Sequence, residues 1–231
     1  MKHEISDPED MGQKVKCLSC GSPGEGFFCI DCHTILPLSK EADYFTLLEV
    51  EKRPLVDSER LKENFLKISE MVHPDKYYNA PQEARDVSLG YSSLLNKAYS
   101  TLKDPKERIR YLISLETDKE APVANRASAE TMEFFIEASD VCHEADVLQK
   151  KGKSGESERR ELRDRLQGLK KESQKKWENG LREIEALDAE WMAALPENRR
   201  PVVRKLMGLS HELSYLAKLQ SMLNEMIVAL S

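Results

Sequence analysis

The sequence predicts an all-α protein, and three observations carry that prediction. Apolar residues recur at intervals of three and four along most of the chain, the spacing that lines one face of a helix. Charged side chains make up 33% of the 231 residues and aromatic ones only 6%, a balance that suits narrow helical cores better than a pocket-rich α/β enzyme. Glycine and proline, ten of each, concentrate at the joints between periodic runs and punctuate them. The same numbers exclude several functions. A formal net charge of −6 argues against general nucleic-acid binding, which needs a basic face. No apolar run approaches the roughly 20 residues that span a bilayer, so neither nucleic acid nor membrane is expected as a partner.

The first twelve residues are acidic and lack an apolar segment, unlike a secretory signal or an Arg-rich transit peptide. They are expected to be a disordered lead. A cytoplasmic location is expected, or the mitochondrial matrix for a processed organellar form.

Next come Cys17-Leu18-Ser19-Cys20 and Cys29-Ile30-Asp31-Cys32. Each C-x-x-C pair forms a tight knuckle that aims two thiolates at one point. Gly21, Pro23, Gly24 and Gly26 supply the turn between them, and Phe27-Phe28 supply a strand-like lead into the second knuckle. Four cysteines in two close pairs suit metal ligation in a reducing compartment better than a disulfide framework. Four thiolates favour one structural zinc in a closed site; iron also fits this donor set, and a redox-active C-x-x-C is the competing reading. His33 follows directly but is expected to be a bystander. A module this small buries little core, so the metal must supply most of its folding energy. Residues 1–40 carry four basic and six acidic side chains, which favours a structural or protein-contact role over nucleic-acid binding.

Two amphipathic helices follow. Val56 to Met71 places Leu61, Phe65, Ile68 and Val72 on one face, and Glu83 to Leu102 repeats the pattern with Val87, Tyr91, Leu94, Leu95, Ala98 and Leu102. Between them stands Val72-His73-Pro74-Asp75-Lys76. Pro74 disfavours helical geometry at His73, so a helical hairpin should present imidazole, proline and carboxylate at its tip. A helix-ending turn needs the proline but has no evident need for both His73 and Asp75.

This hairpin resembles the J-domain of DnaK-type co-chaperones. Asp43 to Leu48 is similar to the short first helix of that family, and Leu95-Asn96-Lys97-Ala98-Tyr99-Ser100-Thr101-Leu102 to its third. The resemblance implies that His73, Pro74 and Asp75 meet the ATPase domain and linker of a DnaK-type chaperone and accelerate its ATP hydrolysis. Asp75 would pair with an arginine of that partner, a charge-assisted contact that neutralisation removes. Arg60 and Lys67, seven apart on the first helix, would add a basic face, thinned here by Glu59, Glu63 and Glu70. The chain itself is not expected to be an enzyme; it biases its partner between states.

After Asp104, Pro105 opens a further helix through Arg108, Tyr111, Leu112 and Leu115. The pattern P-x-x-R-x-x-Y-L-x-x-L behind a J-like domain resembles the HscB family, co-chaperones of iron–sulfur cluster assembly. Eukaryotic relatives also carry two N-terminal C-x-x-C pairs. The similarity is close over 14–115 and looser beyond.

Three long amphipathic runs complete the chain: Ser128 to Gln149, Glu156 to Ala194, and a last run opened by Asn198-Arg199-Arg200-Pro201. Short turns between long amphipathic helices predict an antiparallel three-helix bundle or coiled coil. The first run offers Met132, Phe135, Ile136, Ser139, Val141, Cys142, Ala145 and Leu148 as its apolar face. The second offers Leu162, Leu166, Leu169, Ser173, Trp177, Leu181, Ile184, Leu187, Trp191 and Leu195. Gly152-Lys153-Ser154 lacks the upstream glycine of a phosphate loop, so it is a turn.

The HscB resemblance implies that this bundle holds a cluster scaffold protein of the IscU type through Phe135, Ile136 and the aromatic Tyr215. Phe135 and Ile136 equally suit bundle core. Where the family has a further leucine this chain has Ser139, so the patch is smaller or shifted. Adjacent Cys142 and His143 diverge by about 100 degrees on a helix and do not share an ion; Cys142 is expected to be buried. The expected organisation is a lead (1–12), a four-Cys zinc module of zinc-ribbon type (13–40), a J-like domain (41–115), a linker (116–127) and the bundle (128–231). The partners it implies are a DnaK/HscA-type chaperone ATPase and the scaffold. A general J-domain co-chaperone whose bundle binds another client is the alternative.

Overall fold

Asp57 decides where the first long helix begins. Its carboxylate accepts from the backbone N–H groups of Glu59 and Arg60 at 2.9 and 3.1 Å, satisfying donors that a helix N-terminus leaves unpaired. The helix therefore runs Ser58–Met71 rather than starting at Val56. The computed structural model describes residues 15–37, 42–117, 127–151 and 156–230. The expected lead over 1–12, most of the expected linker and the turn over 152–155 lie outside the described residues.

In chain order the elements are β1 (Val15–Lys16), β2 (Pro23–Gly24), α1 (Tyr44–Leu47), α2 (Ser58–Met71), a 3-10 turn (Pro74–Tyr77) and α3 (Gln82–Lys103). Then follow α4 (Pro105–Glu116), α5 (Ala129–Lys151), α6 (Glu156–Ala193), a second 3-10 turn (Pro196–Asn198) and α7 (Arg200–Ala229). The fold is all-α apart from the two-residue strands, which pair antiparallel with Val15 opposite Gly24 and Lys16 opposite Pro23. Gly24 thus lies in a strand, not in the turn. Phe28 makes only an isolated bridge to Ile35.

Two compact units form. The first joins the chain through Lys52 to Val56–Asp104, and the second joins Arg53–Leu55 to Pro105 and the rest. In the first unit, α1, α2 and the 3-10 turn all pack on α3. Phe45, Leu48, Leu61, Ile68, Val72, Leu95, Ala98 and Leu102 are buried there, and Phe65 stacks on Tyr99 with ring centroids 4.3 Å apart. Asp104 is extended, as a residue before proline must be, and Pro105 starts α4.

In the second unit α7 packs against α4, α5 and α6, and α5 packs on α6, completing the three-helix bundle. At 38 residues α6 is about 57 Å long. Gly180 permits its close approach to α7, since a β-carbon there would lie 2.8 Å from Leu213 Cδ2. Two parts of the expected apolar stripe differ. On α5 the core takes Phe134 and Ala138, while Phe135 is half-buried and Ile136 is 55% exposed. On α6, Leu195 lies beyond the helix and is exposed. The buried face of α6 includes an acid instead. Asp188 accepts from Leu55 N–H at 2.9 Å and from Arg53 Nε at 3.0 Å, with the second guanidinium nitrogen on its other oxygen. Arg108 Nε donates to the Pro54 carbonyl at 2.7 Å, so α4 and α6 both grip residues 53–55.

Candidate functional site

The two knuckles are built alike, residue for residue. Gly21 N–H donates to the Cys17 carbonyl at 3.0 Å and Cys17 N–H to the Ser22 carbonyl at 2.8 Å. His33 N–H donates to the Cys29 carbonyl and Cys29 N–H to the Thr34 carbonyl, each at 2.9 Å. Gly21 and His33, the residues after each second cysteine, both stand in the left-handed region at φ 78° and 57°. The matched turns bring the four sulfurs of Cys17, Cys20, Cys29 and Cys32 within 4.8 Å of one another. Across the knuckles Cys17 lies 3.5 Å from Cys32, and Cys20 lies 3.6 Å from Cys29. Thiolates bonded tetrahedrally at 2.3 Å to one ion would be about 3.8 Å apart. The donor set and its spacing therefore fit a metal ion.

A side chain outside the set tunes it. The Thr34 hydroxyl lies 3.4 Å from Cys32 Sγ and, with the Thr34 backbone N–H, draws the Cys32 thiol down to about 6. His33 is exposed; its task is the left-handed turn. Leu36 is fully buried against Cys17 and Cys29. The module docks within its own unit, with Phe27 and Tyr91 ring centroids 5.3 Å apart. Burial there, and then Tyr77 nearby, push the Tyr91 hydroxyl up to about 12. Cys142 is buried in the bundle, which raises its thiol.

The second site is the turn after α2. His73 caps the 3-10 turn, its Nδ1 accepting from Asp75 N–H at 3.3 Å. The turn thus does use its histidine structurally, contrary to the expectation from sequence. Lys76 N–H returns to the His73 carbonyl at 3.0 Å. Asp75 keeps its side chain 91% exposed, with one oxygen 3.6 Å from His73 Nδ1. Arg60 and Lys67 are exposed on α2, and Lys67 lies 3.9 Å from Glu49. Lys76 lies 3.7 Å from Glu70. A capped loop thus carries an unburied carboxylate. Ser88, absent from the sequence reading, donates from a fully buried position to the Val72 carbonyl at 2.7 Å.

The third place is on the bundle. Phe135 of α5 meets Tyr215 of α7 edge to face, ring centroids 5.5 Å apart at 77°. Lys218 Nζ stands 5.6 Å from the Phe135 ring centroid. Ser139 turns its hydroxyl inward along the helix to the Phe135 carbonyl at 2.7 Å. Both aromatics are half-buried, so each also supports the core, while Ile136 faces outward.

Comparison with known proteins agrees with this architecture. Residues 43–111 match the DnaJ domain family. The human iron-sulfur cluster co-chaperone protein HscB is 34% identical over 105 residues, covering 43% of this chain and 45% of the human protein. The mouse protein of the same description is 30% identical over 131 residues, covering 54% and 55%. The chain thus matches about half the length of these two relatives. A Co-chaperone protein HscB homolog of Bordetella avium is 30% identical over 132 residues, 55% of this chain and 79% of that protein. The crystal structure of human co-chaperone protein HscB superimposes with a TM-score of 0.65 at 20% identity, covering 91% of this chain and 97% of that one. Chaperone HscB from Vibrio cholerae gives 0.58 at 17% identity, covering 80% and 96%; both show a shared fold. With the DnaJ match lying over the hairpin and its tip, and the Bordetella relative covered over most of its length, the chain belongs to the HscB family of co-chaperone proteins.

Proposed function

We propose that this protein stimulates the ATPase of a DnaK/HscA-type chaperone and delivers to it an iron–sulfur cluster scaffold of the IscU type. The observation that carries the reading is Asp75, a carboxylate 91% exposed on a turn whose backbone is fixed by the His73 cap. An arginine of the partner would gain a charge-assisted contact with this exposed carboxylate. His73 and Pro74 shape the same contact, and Arg60 and Lys67 add long-range attraction that salt screens. The reaction takes place in the partner. This chain contributes binding energy that favours one conformational state of it.

On the bundle, the paired rings of Phe135 and Tyr215 with exposed Ile136 offer apolar surface for the scaffold, the kind of aromatic contact that dominates protein interfaces. The relatives named as iron–sulfur cluster co-chaperones support the scaffold as client. The four cysteines would hold one structural zinc, leaving no open ligand position for substrate. On this reading it acts in the cytoplasm or, for an organellar form, the mitochondrial matrix.

The test uses purified chain, chaperone and scaffold. The wild type should have no ATPase of its own, raise that of the chaperone and capture the scaffold. Phe135→Ala and Tyr215→Ala should weaken capture while leaving stimulation by the tip intact. Full capture by both variants would favour the alternative, a J-domain co-chaperone whose bundle holds another client.

A further inference from the structure

The tripeptide His73-Pro74-Asp75 follows directly on a helix end that its own backbone does not fully close. A helix leaves its last carbonyls without partners, and backbone N–H groups folding back from the next residues usually satisfy some of them. Pro74 has no N–H to give. Val72 is fully buried, so water does not supply the missing donor.

Two hydroxyls do. Ser88 Oγ donates to the Val72 carbonyl at 2.7 Å, and Tyr77 Oη donates to the Met71 carbonyl at 3.5 Å. Ser88 is itself fully buried, on the face of α3 formed by Ala84, Tyr91, Leu95, Ala98 and Leu102. Serine inside a helix commonly bonds back to its own preceding turn, but this one reaches sixteen residues away in sequence to the carbonyl joined to His73.

We infer that Ser88, assisted by Tyr77, is a positioning residue for the His73-Pro74-Asp75 tip, holding through the Val72 carbonyl the direction in which Asp75 leaves the helix. Truncating Ser88 strands a buried acceptor, and the cheapest relief is for the Val72–His73 peptide to rotate toward solvent. That rotation carries the imidazole cap and Asp75 with it. The inference rests on the reading of this tip as the ATPase-stimulating element and adds the device that aims it.

The test compares wild type, Ser88→Ala, Tyr77→Phe and Asp75→Asn in the full chain. Backbone amide shifts of His73, Asp75 and Lys76 are recorded in the free protein, and chaperone ATPase is measured against co-chaperone concentration. Ser88→Ala should shift the three amides and raise the half-maximal concentration about tenfold, the consequence of one stranded buried acceptor, while the plateau is retained. Tyr77→Phe should do the same to a smaller extent, and it carries the test if Ser88→Ala does not fold. Unmoved tip amides, or an unchanged half-maximal concentration, in a folded variant would overturn the inference while loss of stimulation by Asp75→Asn upheld the functional reading. Full stimulation by Asp75→Asn would instead overturn that reading, and this one with it.

Discussion

His33 holds a left-handed conformation at φ 57°, the place glycine takes in the first knuckle, and a side chain there costs about 1 kcal/mol or more. His33→Gly should therefore keep metal binding and raise the melting temperature of the metal-loaded protein, whereas His33→Val should lower it. A loss of metal from the glycine variant would show that the imidazole does more than turn the chain. Asp188 is the other residue whose surroundings set a clear expectation. It is buried and receives Arg53 and the Leu55 amide, so Asp188→Ala takes from both the carboxylate they share. The expected loss is about 3 kcal/mol in urea denaturation, at the lower end for broken buried pairs because Arg53 is partly solvated. A change under about 0.5 kcal/mol would mean that solvent replaces the carboxylate. Neither role was legible in the sequence. A lone acid in a charged helix reads as surface, and a histidine beside cysteines reads as ligand or bystander, because local sequence does not state φ or long-range partners.

Among the elements, the four-cysteine module depends most on what it binds. Its strands are two residues long, and among the described residues its buried apolar side chains are Cys17, Cys29, Ile35 and Leu36. Metal removal should release 15–37 and separate Phe27 from Tyr91 while α2 and α3 stay folded on their own buried residues. Hydrogen exchange with and without chelator checks this: fast exchange confined to the module is expected, and equal protection in both states would contradict it. Acid should act in the same direction. Protons compete with a metal ion for its thiolate ligands, so metal binding weakens as pH falls. Metal release on titration from pH 8 to 5 reports it. The spacing of these cysteines was legible because C-x-x-C dictates its own geometry. The face of α5 was not. Phe134-Phe135-Ile136 puts three apolar residues in a row, two helical faces satisfy the period, and only packing against α6 and α7 selects Phe134 for the core.

At the scale of the whole molecule, the proposed function assigns its two tasks to two compact units, one carrying the metal module and the His73-Pro74-Asp75 tip, the other the bundle with Phe135 and Tyr215. The helical class and the hairpin were legible because Leu61, Ile68, Leu95, Ala98 and Leu102 repeat at the helical period and are buried as that period requires. What holds the tip in place was not, since Ser88 looks like any helix serine until the fold brings it to Val72. In the proposed function, the exposed Asp75 carboxylate is the group that acts on the partner ATPase. Steady-state ATP hydrolysis by a DnaK-type chaperone, measured with wild type and with Asp75→Asn at equal concentration and equal helical content, tests it directly. The wild type should accelerate hydrolysis and Asp75→Asn should leave it at the basal rate; equal acceleration by both would contradict this role for Asp75.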